Sequence, residues 1–264
     1  MGNRRMMPYH WSWIGACSIG TSHLRAGVGC DDAGACVETH GPRGSVLIAV
    51  VSDGAGSAAH GSIGARIVVQ NFCRRASAHF ARPDGRTISD ELVREWLDDI
   101  RDRIGDRAER VGASRRDFAA TLVGCVVDSD GATIVHVGDG ACVLRLAGVG
   151  VWEVPSWPTQ GEYAATTFFV TDDPEPRITV RRVSGRIEEV ALLTDGVERL
   201  ALDFASSTAF APFFESMFRA LRKSSPGRQR RLSADLRAFL DGSAVTERTD
   251  DDKTLILARL AEGP

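Results

Sequence analysis

Two Asp-Gly pairs follow apolar runs that have the composition of buried strands. In "LIAVVSDGAGS" (residues 47–57) the run ends at Asp53-Gly54, and in "EVALLTDGVERL" (residues 189–200) it ends at Asp195-Gly196. Asp-Gly is a favoured pair in tight hairpin turns, and "DSDGA" at 128–132 is interpreted in that way. A helical pattern follows Asp53 and no strand-like alternation follows Asp195, so these two acids are instead interpreted as site residues at strand ends.

Two further clusters of acids lie beside apolar runs. Asp250, Asp251 and Asp252 precede the run "KTLILARL", and Asp31 and Asp32 lie in "GCDDAGAC". Carboxylates held close together repel each other unless they are protonated or neutralised by cations. Carboxylate oxygens are also the ligands that Mg²⁺ and Mn²⁺ prefer. The four clusters therefore predict a divalent-metal site assembled from strand ends.

A dinucleotide-binding turn is the first alternative to a metal site. Gly54-x-Gly56-x-x-Ala59 lies between a predicted strand and a predicted helix, as the glycine-rich turn of such a site would. The second strand that should follow, with an acid about 20 residues on, is missing from the pattern. That stretch is predicted to be helical and carries Arg74 and Arg75, so the sequence does not favour this alternative.

Thiol chemistry is the second alternative. None of the six cysteines forms a Cys-x-x-Cys pair or begins a Cys-x5-Arg phosphate loop, and no paired Cys/His spacing indicates zinc. They are interpreted as small buried thiols of a reducing compartment and not as nucleophiles. The cysteines are Cys17, Cys30, Cys36, Cys73, Cys125 and Cys142.

Composition narrows the class of protein further. The chain has 264 residues and a net charge of −3, which offers no basic field for nucleic acid. No apolar run reaches the roughly 18 residues of a membrane helix. The start of the chain, "MGNRRMMPYHWSW", has no apolar segment typical of a secretory signal. We therefore expect a cytoplasmic protein that binds neither nucleic acid nor membrane.

The elements that must position these acids come in blocks. Helical periodicity is predicted from Gly61 to about Ala81, and again after a cap at Ser89, and these two helices are expected to pair. Short strands with turn residues between them then run to about residue 195, two more helices follow, and the last strand is "KTLILARL". Blocks of strands and helices are typical of an α+β fold with antiparallel sheets.

Six short motifs in this order resemble the PP2C-type metal-dependent protein phosphatase family, especially its bacterial branch. They are "GVGCDDA", "VSDGAGSA", "DFAATLVG", "VHVGDGACVL", "LLTDG" and "DDKTLIL". The resemblance covers about residues 12–260. It implies a four-layer αββα sandwich, in which two antiparallel sheets are flanked by helix pairs, and a single phosphatase domain over residues 1–264.

The resemblance also implies roles for the acids. Asp53 would bridge two Mn²⁺ or Mg²⁺ ions, the Gly54 carbonyl would bind one of them, and Asp195 and Asp251 would bind the other. The catalytic set would thus be Asp53, Asp195 and Asp251. Asp31 and Asp32 would serve in or next to the coordination of the metal.

Other positions have weaker counterparts in the family. Asp117 would correspond to an acid that some members use for a third ion, and Asp139 would be a structural hydrogen-bonding residue and not a ligand. Some members carry a basic residue before the first acids to hold phosphate; here Gly27 has that place, and Arg25 or His23 could substitute.

Two further positions depart from the family pattern. The place directly after the first Asp-Gly, where some members have a histidine, is Ala55, with His60 five residues on. Asp252 replaces the usual asparagine.

The activity implied is hydrolysis of phosphoserine and phosphothreonine in proteins, by a water molecule that two metal ions activate. The alternative is a catalytically silent PP2C-like domain that binds phosphoproteins or regulates a kinase. Retention of Asp53, Asp195 and Asp251 favours the enzyme. The expected partners are a phosphoprotein substrate and a cognate Ser/Thr kinase, and the chain is expected to be a monomer.

Overall fold

The computed structural model describes residues 9–158 and 167–262. Residues 1–8, 159–166 and 263–264 lie outside the described part of the chain. The interpretation of the first residues as lacking a secretory signal therefore stays a prediction from the sequence. The same holds for the parts of the predicted 1–264 domain that fall on these three segments.

The longer strands of the described chain form two sheets. One has the strand order β12-β1-β13-β9-β6-β7 and the other the order β2-β3-β4-β5-β8, while β10 and β11 form a separate short hairpin. The strands are β1 (Tyr9–Ser18), β2 (Ala33–Gly41), β3 (Gly44–Ser52), β4 (Leu122–Val127), β5 (Gly131–Val137), β6 (Ala141–Leu146), β7 (Trp152–Ser156), β8 (Thr179–Ser184), β9 (Ile187–Leu193), β10 (Leu202–Asp203), β11 (Thr208–Ala209), β12 (Gly227–Arg228) and β13 (Lys253–Glu262).

The pairings within both sheets are antiparallel, with one exception. The two-residue strand β12 runs parallel to β1, with Ser12 opposite Gly227. The longest pairing joins the beginning and the end of the described chain, because β1 and β13 are in register from Tyr9 opposite Glu262 to Ser18 opposite Lys253. Strand β13 also pairs with β9 on its other side, so it lies in the interior of the six-stranded sheet.

Helices connect the strands and, in two pairs, cover the outer faces of the sheets. They are α1 (Thr21–Ala26), α2 (Gly61–Phe80), α3 (Asp90–Val111), α4 (Asp195–Ala201), α5 (Ala211–Leu221), α6 (Arg230–Leu240) and α7 (Ser243–Thr246), and a short 3-10 helix spans Arg115–Phe118. Helices α2 and α3 share a core with the five-stranded sheet, and α5 and α6 share one with the six-stranded sheet. A third core fills the space between the sheets. The predicted αββα order is confirmed.

Strand β3 contains an uninterrupted apolar run because both of its faces are buried. Val46, Ile48 and Val50 pack in the core under α2 and α3. Leu47, Ala49 and Val51 point the other way, into the core between the two sheets. Because successive side chains of a strand alternate between faces, a strand buried on both faces must be apolar at every position.

The predicted helix pair is also confirmed. The Ser89 hydroxyl accepts a hydrogen bond from the Leu92 N–H at 3.2 Å and caps α3, as the sequence predicted. Phe72 of α2 meets Trp96 of α3 edge to face, with ring centroids 5.8 Å apart. Among the described residues, no helix has both the length and the apolar composition to cross a membrane.

Candidate metal centre

Three carboxylates from separate connections converge at one end of the sandwich. Asp53 follows β3, Asp139 lies between β5 and β6, and Asp195 follows β9 after one residue. One carboxylate oxygen from each lies within 4.8 Å of the other two, and all three residues are half-buried. We call this group the three-acid centre. Asp53 and Asp195 are two of the predicted site residues, whereas Asp139 was not predicted as a ligand and the predicted Asp31, Asp32 and Asp251 are not members of this group.

Thr121 fixes Asp53 in place. The Asp53 N–H donates to the Thr121 hydroxyl at 2.9 Å, and the Thr121 N–H donates to the Asp53 carbonyl at 2.8 Å. The neighbouring Ser52 hydroxyl donates to the Thr121 carbonyl at 2.6 Å. These bonds join the end of β3 to the residue just before β4, so the backbone that carries the Asp53 carboxylate is held on both sides.

Gly54 is required by a close approach of backbones. A Cβ atom on Gly54 would lie 2.3 Å from the carbonyl carbon of Gly61, the first residue of α2. The Gly54 N–H donates to the Asp31 carbonyl at 3.2 Å. The predicted reason for this glycine is access of its carbonyl to a metal ion. The structure adds a packing reason, because α2 begins directly against the chain that leaves β3.

Asp195 is the first residue of α4, and the glycine after it is also crowded. A Cβ on Gly196 would lie 2.0 Å from the Asp252 carbonyl oxygen. The preceding residue, Thr194, donates from its hydroxyl to an oxygen of Asp32 at 2.7 Å and accepts from the Thr254 N–H at 2.9 Å. Thr194 thus connects the Asp195 turn to two other predicted site segments.

Asp252 organises the chain around Asp31. Its buried carboxylate accepts from the Gly20 N–H at 2.6 Å and from the Asp31 N–H at 2.5 Å. The same carboxylate pairs with His23 Nδ1 at 3.0 Å. Asp252, which replaces an asparagine of the family pattern, therefore acts here as a hydrogen-bond acceptor for the backbone on both sides of α1.

Asp251 is exposed and lies next to the three-acid centre without belonging to it. Its carboxylate accepts from the Asp252 N–H at 2.8 Å. Its negative charge contributes to the raised pKa values of Asp53, Asp139 and Asp195. The predicted ligand is thus close enough for electrostatic coupling, and one of its oxygens is committed to the backbone.

The pKa values of several carboxyl groups at this site are raised. Burial, followed by the neighbouring carboxylates, raises the pKa of Asp53 well above its ordinary range and that of Asp195 to about 8. Burial raises the pKa of Asp32 to about 7. Burial also raises the pKa of Asp139 and of the half-buried Asp31. Without a cation, these groups retain protons that isolated carboxylates would lose.

The two carboxylate oxygens of Asp32 differ in their hydrogen bonding to the described part of the chain. One oxygen, Oδ2, accepts from Thr194, but Oδ1 is buried and has no hydrogen-bond partner among the described residues. A buried polar atom without a partner is costly, and such atoms in native proteins commonly mark an ion or a water. The predicted role of Asp32 beside a metal is consistent with this position.

Asp117 and Asp139 have places that differ from the predicted ones. The Asp117 carboxylate accepts from the N–H and the hydroxyl of Ser114, both at 2.8 Å, and caps the 3-10 helix. It is not a member of the three-acid centre. Asp139, predicted only as a hydrogen-bonding residue, does accept from the Thr167 hydroxyl at 2.5 Å, but its carboxylate also belongs to the three-acid centre.

The two candidates for phosphate binding differ in availability. His23 is mostly buried and pairs with Asp252, whereas Arg25 is exposed and pairs with the exposed Asp250 at 3.3 Å.

His60 lies at the start of α2, and the centroid of its ring is 4.8 Å from that of Phe118. Arg74 and Arg75 lie on α2 and form salt bridges with Asp99 of α3. This stretch is therefore helical, as predicted, where a dinucleotide-binding unit would need its second strand.

Glu198 is a site neighbour that the sequence argument missed. It lies one turn into α4 from Asp195, is buried, and has one oxygen without a partner among the described residues. Burial, together with the charges of Asp195 and Asp139, raises the pKa of Glu198 to about 8. Its spacing of three residues from Asp195 on a helix was the available signal.

The cysteines are free thiols in the described structure. Burial raises the pKa of Cys17, Cys30, Cys36 and Cys73, so these thiols stay protonated near neutral pH. A protonated thiol is a poor nucleophile. This agrees with the prediction that the cysteines are packing residues.

Comparisons with known proteins show which family this chain is similar to. The family model for Protein phosphatase 2C matches residues 19–241. The serine/threonine-protein phosphatase 3 of Escherichia coli strain K12 is 37% identical over 256 residues, which cover 96% of this chain and 99% of that protein.

Solved structures of bacterial phosphatases share the fold. The phosphatase Stp1 from Staphylococcus aureus superposes with a TM-score of 0.61 at 16% identity, over 99% of both chains. PppA, described as a regulatory component of type VI secretion in Pseudomonas aeruginosa, gives 0.63 at 18% identity, over 96% of this chain and 98% of that one. The catalytic domain of PstP, in complex with two manganese ions, gives 0.63 at 16% identity, over 96% and 99%. The chain belongs to the protein phosphatase 2C family.

Proposed function

We propose that this chain is a Mn²⁺- or Mg²⁺-dependent phosphatase that hydrolyses phosphoserine and phosphothreonine in proteins. The observation that carries the proposal is the convergence of Asp53, Asp139 and Asp195, whose carboxylate oxygens lie within 4.8 Å of one another. Family membership and the 37% identical serine/threonine-protein phosphatase 3 support the same activity.

The residues present fit a hard divalent cation. The donors are carboxylates and backbone carbonyls, which Mn²⁺ and Mg²⁺ prefer to sulfur or nitrogen. The raised pKa values of Asp53 and Asp195 show that the negative charges are unbalanced. The buried, unpartnered Oδ1 of Asp32 offers a further oxygen. A pair of cations would offset the repulsion that these groups otherwise relieve by protonation.

Within this proposal, Asp53 would be shared by two ions and the Gly54 carbonyl would bind one of them. Asp195 and Asp251 would bind the other ion. Asp31 and Asp32 would bind directly or through water. The support for these assignments is that Asp53 and Asp195 are members of the three-acid centre and that Asp251 is coupled to both by charge.

For a third ion, we propose Asp139 in place of Asp117. The Asp139 carboxylate is in the three-acid centre, and Glu198 adds a buried acid on the same side of Asp195. Both bonds to the Asp117 carboxylate come from Ser114, which leaves that side chain committed to its helix.

The bound ions would lower the pKa of a coordinated water and offset the negative charge of the phosphate. The chain itself supplies the positioning. Thr121 holds Asp53, Thr194 holds Asp32, and Asp252 holds Asp31 and His23. Rigid placement of this kind is what a multi-carboxylate site requires, because small displacements of a ligand weaken both binding and catalysis. The exposed Arg25, which pairs with the exposed Asp250 in this structure, is the proposed cation for the phosphate and would exchange that partner for it.

We also propose the extent of the domain, the cellular location, the oligomeric state and the partner of this chain. Residues 1–264 form one phosphatase domain with its core at about 12–260, and the pairing of β1 with β13 supports this extent. The chain acts as a cytoplasmic monomer on phosphoproteins made by a cognate Ser/Thr kinase. Gel filtration with light scattering tests the monomer, and loss of the kinase in the host tests the partnership through the phosphorylation state of shared substrates.

The test of the activity is hydrolysis of p-nitrophenyl phosphate and of phosphoserine and phosphothreonine peptides by the purified chain. Turnover is expected with Mn²⁺ or Mg²⁺ and is expected to vanish with EDTA and return when metal is restored. Full turnover in metal-free buffer would contradict the metal requirement. Metal-dependent stabilisation without any turnover would instead indicate the silent, phosphoprotein-binding alternative.

A further inference from the structure

Arg101 of α3 is a buried arginine that contacts a loop near the proposed metal site. It is 9% exposed. In the described structure its guanidinium pairs with the Asp173 carboxylate at 3.0 Å, and that side chain is 78% exposed. Burying a charged side chain is costly unless its donors are satisfied. One salt bridge with a surface residue does not by itself explain why Arg101 is buried.

The other hydrogen bonds of this guanidinium go to the backbone of residues 167–174, which we call the 167–174 loop. One terminal nitrogen donates to the carbonyls of Val170 at 3.0 Å and of Asp172 at 2.6 Å. The other donates to the carbonyl of Pro174 at 3.4 Å. A guanidinium presents its N–H groups in a fixed planar fork, so it can hold several carbonyls at once. Arg101 therefore fixes the path of the loop.

Few hydrogen bonds within the loop hold its shape. Among the described residues they join Phe169 and Asp172: the Phe169 N–H donates to the Asp172 carboxylate at 2.9 Å, and the Asp172 N–H donates to the Phe169 carbonyl at 3.1 Å. The loop contains no helix or strand. Its position therefore depends on contacts with the rest of the chain, and Arg101 supplies more of these hydrogen bonds than any other described residue.

The beginning of the loop contacts the three-acid centre. The Thr167 hydroxyl donates to the Asp139 carboxylate at 2.5 Å. The backbone of the next residue is also close, because a Cβ on Gly138 would lie 3.1 Å from the Phe168 carbonyl oxygen. The loop therefore lies against the turn that carries Asp139 and binds its carboxylate.

The middle of the loop contacts the backbone beside Asp53. The Val170 N–H donates to the Ala120 carbonyl at 2.9 Å, and Ala120 pairs with Gly54 in a single antiparallel bridge. Val170 is also fully buried in the core under α2 and α3. The loop thus connects the Arg101 guanidinium to two of the segments that carry acids of the site.

We propose that Arg101 is a positioning residue of the metal site, which acts through the 167–174 loop by keeping the Thr167 hydroxyl on Asp139. The inference rests on the proposed metal-dependent function and adds a residue that lies outside the site itself. A hydrogen bond to one oxygen of the Asp139 carboxylate fixes the direction of the other oxygen toward a cation. Without Arg101, three loop carbonyls lose their partner and the loop is no longer held at Asp139.

The test is calorimetric titration of the metal-free chain with Mn²⁺, a measurement that needs no turnover. Asp139→Asn identifies the binding step that depends on Asp139. In Arg101→Met, which replaces the guanidinium by an apolar side chain, the affinity of that step is expected to fall about tenfold, as for other residues that orient metal ligands. Wild-type affinity in every step of the Arg101→Met titration, or an Asp139→Asn titration identical to that of the wild type, would overturn the proposal.

A double variant tests the route through the loop. Thr167→Val removes the hydroxyl that binds Asp139 and is expected to weaken the same Mn²⁺ step about tenfold. Because Arg101 is proposed to act through Thr167, the double variant Arg101→Met/Thr167→Val is expected to lose no more affinity than either single variant. Independent effects would instead multiply to a loss of about a hundredfold, and this result would overturn the proposed route.

The matched control for a general loss of stability is Ile100→Val. Ile100 is the fully buried neighbour of Arg101 on α3 and packs in the core under the five-stranded sheet. This variant is expected to lower the melting temperature and to keep the Mn²⁺ titration of the wild type. All titrations are made at a temperature at which circular dichroism shows the variants to be folded. Should Arg101→Met not fold, Arg101→Lys takes its place, because it keeps a charged donor without the fork and is expected to show the same loss.

Assays with phosphoserine and phosphothreonine peptides separate this proposal from the proposed function. If the wild-type chain binds Mn²⁺ but hydrolyses neither peptide, the phosphatase function is wrong, and the titrations still decide the role of Arg101. If the wild-type chain binds no Mn²⁺, both proposals are wrong. A weakened Mn²⁺ step in Arg101→Met beside an active wild-type enzyme supports both.

Discussion

Asp53 carries the largest share of the proposed chemistry, and its neighbours explain why its charge is costly. Burial and the carboxylates of Asp32 and Asp195 hold its pKa well above the ordinary range. The bonds from Thr121 keep its backbone in place whether or not the side chain is charged. A substitution can therefore remove the charge of the Asp53 side chain while its backbone stays in place.

For Asp53→Asn we expect loss of detectable turnover with the fold retained. The amide removes a negative charge from a repulsive cluster, so the metal-free protein is expected to unfold at the same temperature as the wild type or at a higher one. Stabilisation by Mn²⁺ is expected to shrink, because it follows the affinity of the native state for the ion. Thermal melts with and without Mn²⁺, beside a phosphatase assay, test this. Asp106→Asn, on the exposed side of α3, is the control. Near-wild-type turnover and an unchanged Mn²⁺ shift in Asp53→Asn would remove Asp53 from the bridging position.

Thr194→Val tests the support of the site without touching a proposed ligand. The substitution leaves both the Thr254 N–H and the Asp32 carboxylate without a partner. The free energy of unfolding is expected to fall by about 1–3 kcal/mol for each group left unpaired. Mn²⁺ affinity is expected to fall roughly 10- to 100-fold, as for other residues that orient metal ligands. Calorimetric titration with Mn²⁺ measures the affinity, and Thr208→Val, in the exposed β10–β11 hairpin, serves as control. Unchanged affinity would show that Asp32 needs no support from Thr194.

The order of the six short motifs in the sequence predicted Asp53, Asp195 and the Asp250–Asp252 cluster as site residues. It did not identify Asp139 as a member of the three-acid centre, because the approach of the β5–β6 turn to β3 and β9 depends on packing between two sheets. The commitment of Asp117 to Ser114 follows from local capping, which competes with any longer-range role.

At the scale of elements, the sequence predicted those with strong periodicity. Strand β3 and helices α2 and α3 have bounds close to the predicted ones. Strand β2, "AGACVETHG", was missed because only its first residue is buried and its apolar alternation is weak. Helices α1 and α4 were missed because each is only one or two turns long, and such helices are held by their surroundings rather than by their own periodicity.

The junction between β3 and α2 gives a prediction at this scale. In Gly54→Ala, the new Cβ would lie 2.3 Å from Gly61 and would push α2 away from the end of β3. Overpacking of this kind is expected to lower the free energy of unfolding by about 1–3 kcal/mol or more. The matched control is Gly56→Ala, where an added Cβ meets nothing within 4 Å.

Chemical denaturation of both glycine variants gives the comparison. A destabilisation confined to Gly54→Ala supports the close approach. Equal stabilities of the two variants would mean that the junction can open without cost, and the packing reason for Gly54 would be wrong.

At the scale of the whole molecule, the acids of the site make stability depend on pH and on metal together. The native protein without metal holds protons on Asp32 and Asp195, whose pKa values are raised to about 7 and about 8. The unfolded chain releases those protons near pH 4. Because the native state binds more protons, the stability of the metal-free protein falls as pH rises through the raised values.

We therefore expect the metal-free protein to be less stable at about pH 8.5 than at about pH 6.5. This window avoids the opposite effect of His136, whose pKa burial lowers to about 4, because that effect lies mainly below the ordinary histidine range. Denaturant unfolding in EDTA at the two pH values measures the difference. In Asp195→Asn the difference is expected to be smaller, and with saturating Mn²⁺ the stabilisation is expected to be larger at the higher pH. A metal-free stability that rises across this window would contradict the raised pKa values.

The pairing of β1 with β13 sets the order in which a nascent chain can finish folding. Strand β13 lies between β1 and β9 in the six-stranded sheet, and Asp251 and Asp252 directly precede it. Until the ribosome has released these residues, β1 and β9 have no strand between them, and the N–H groups of Gly20 and Asp31 have no Asp252 carboxylate to donate to. The five-stranded sheet with α2 and α3 is then the part that can form first, whereas the catalytic end of the sandwich is assembled last. An incomplete translation product that ends before β13 would accordingly carry Asp53 and Asp195 but would lack Asp251, Asp252 and the strand that follows them.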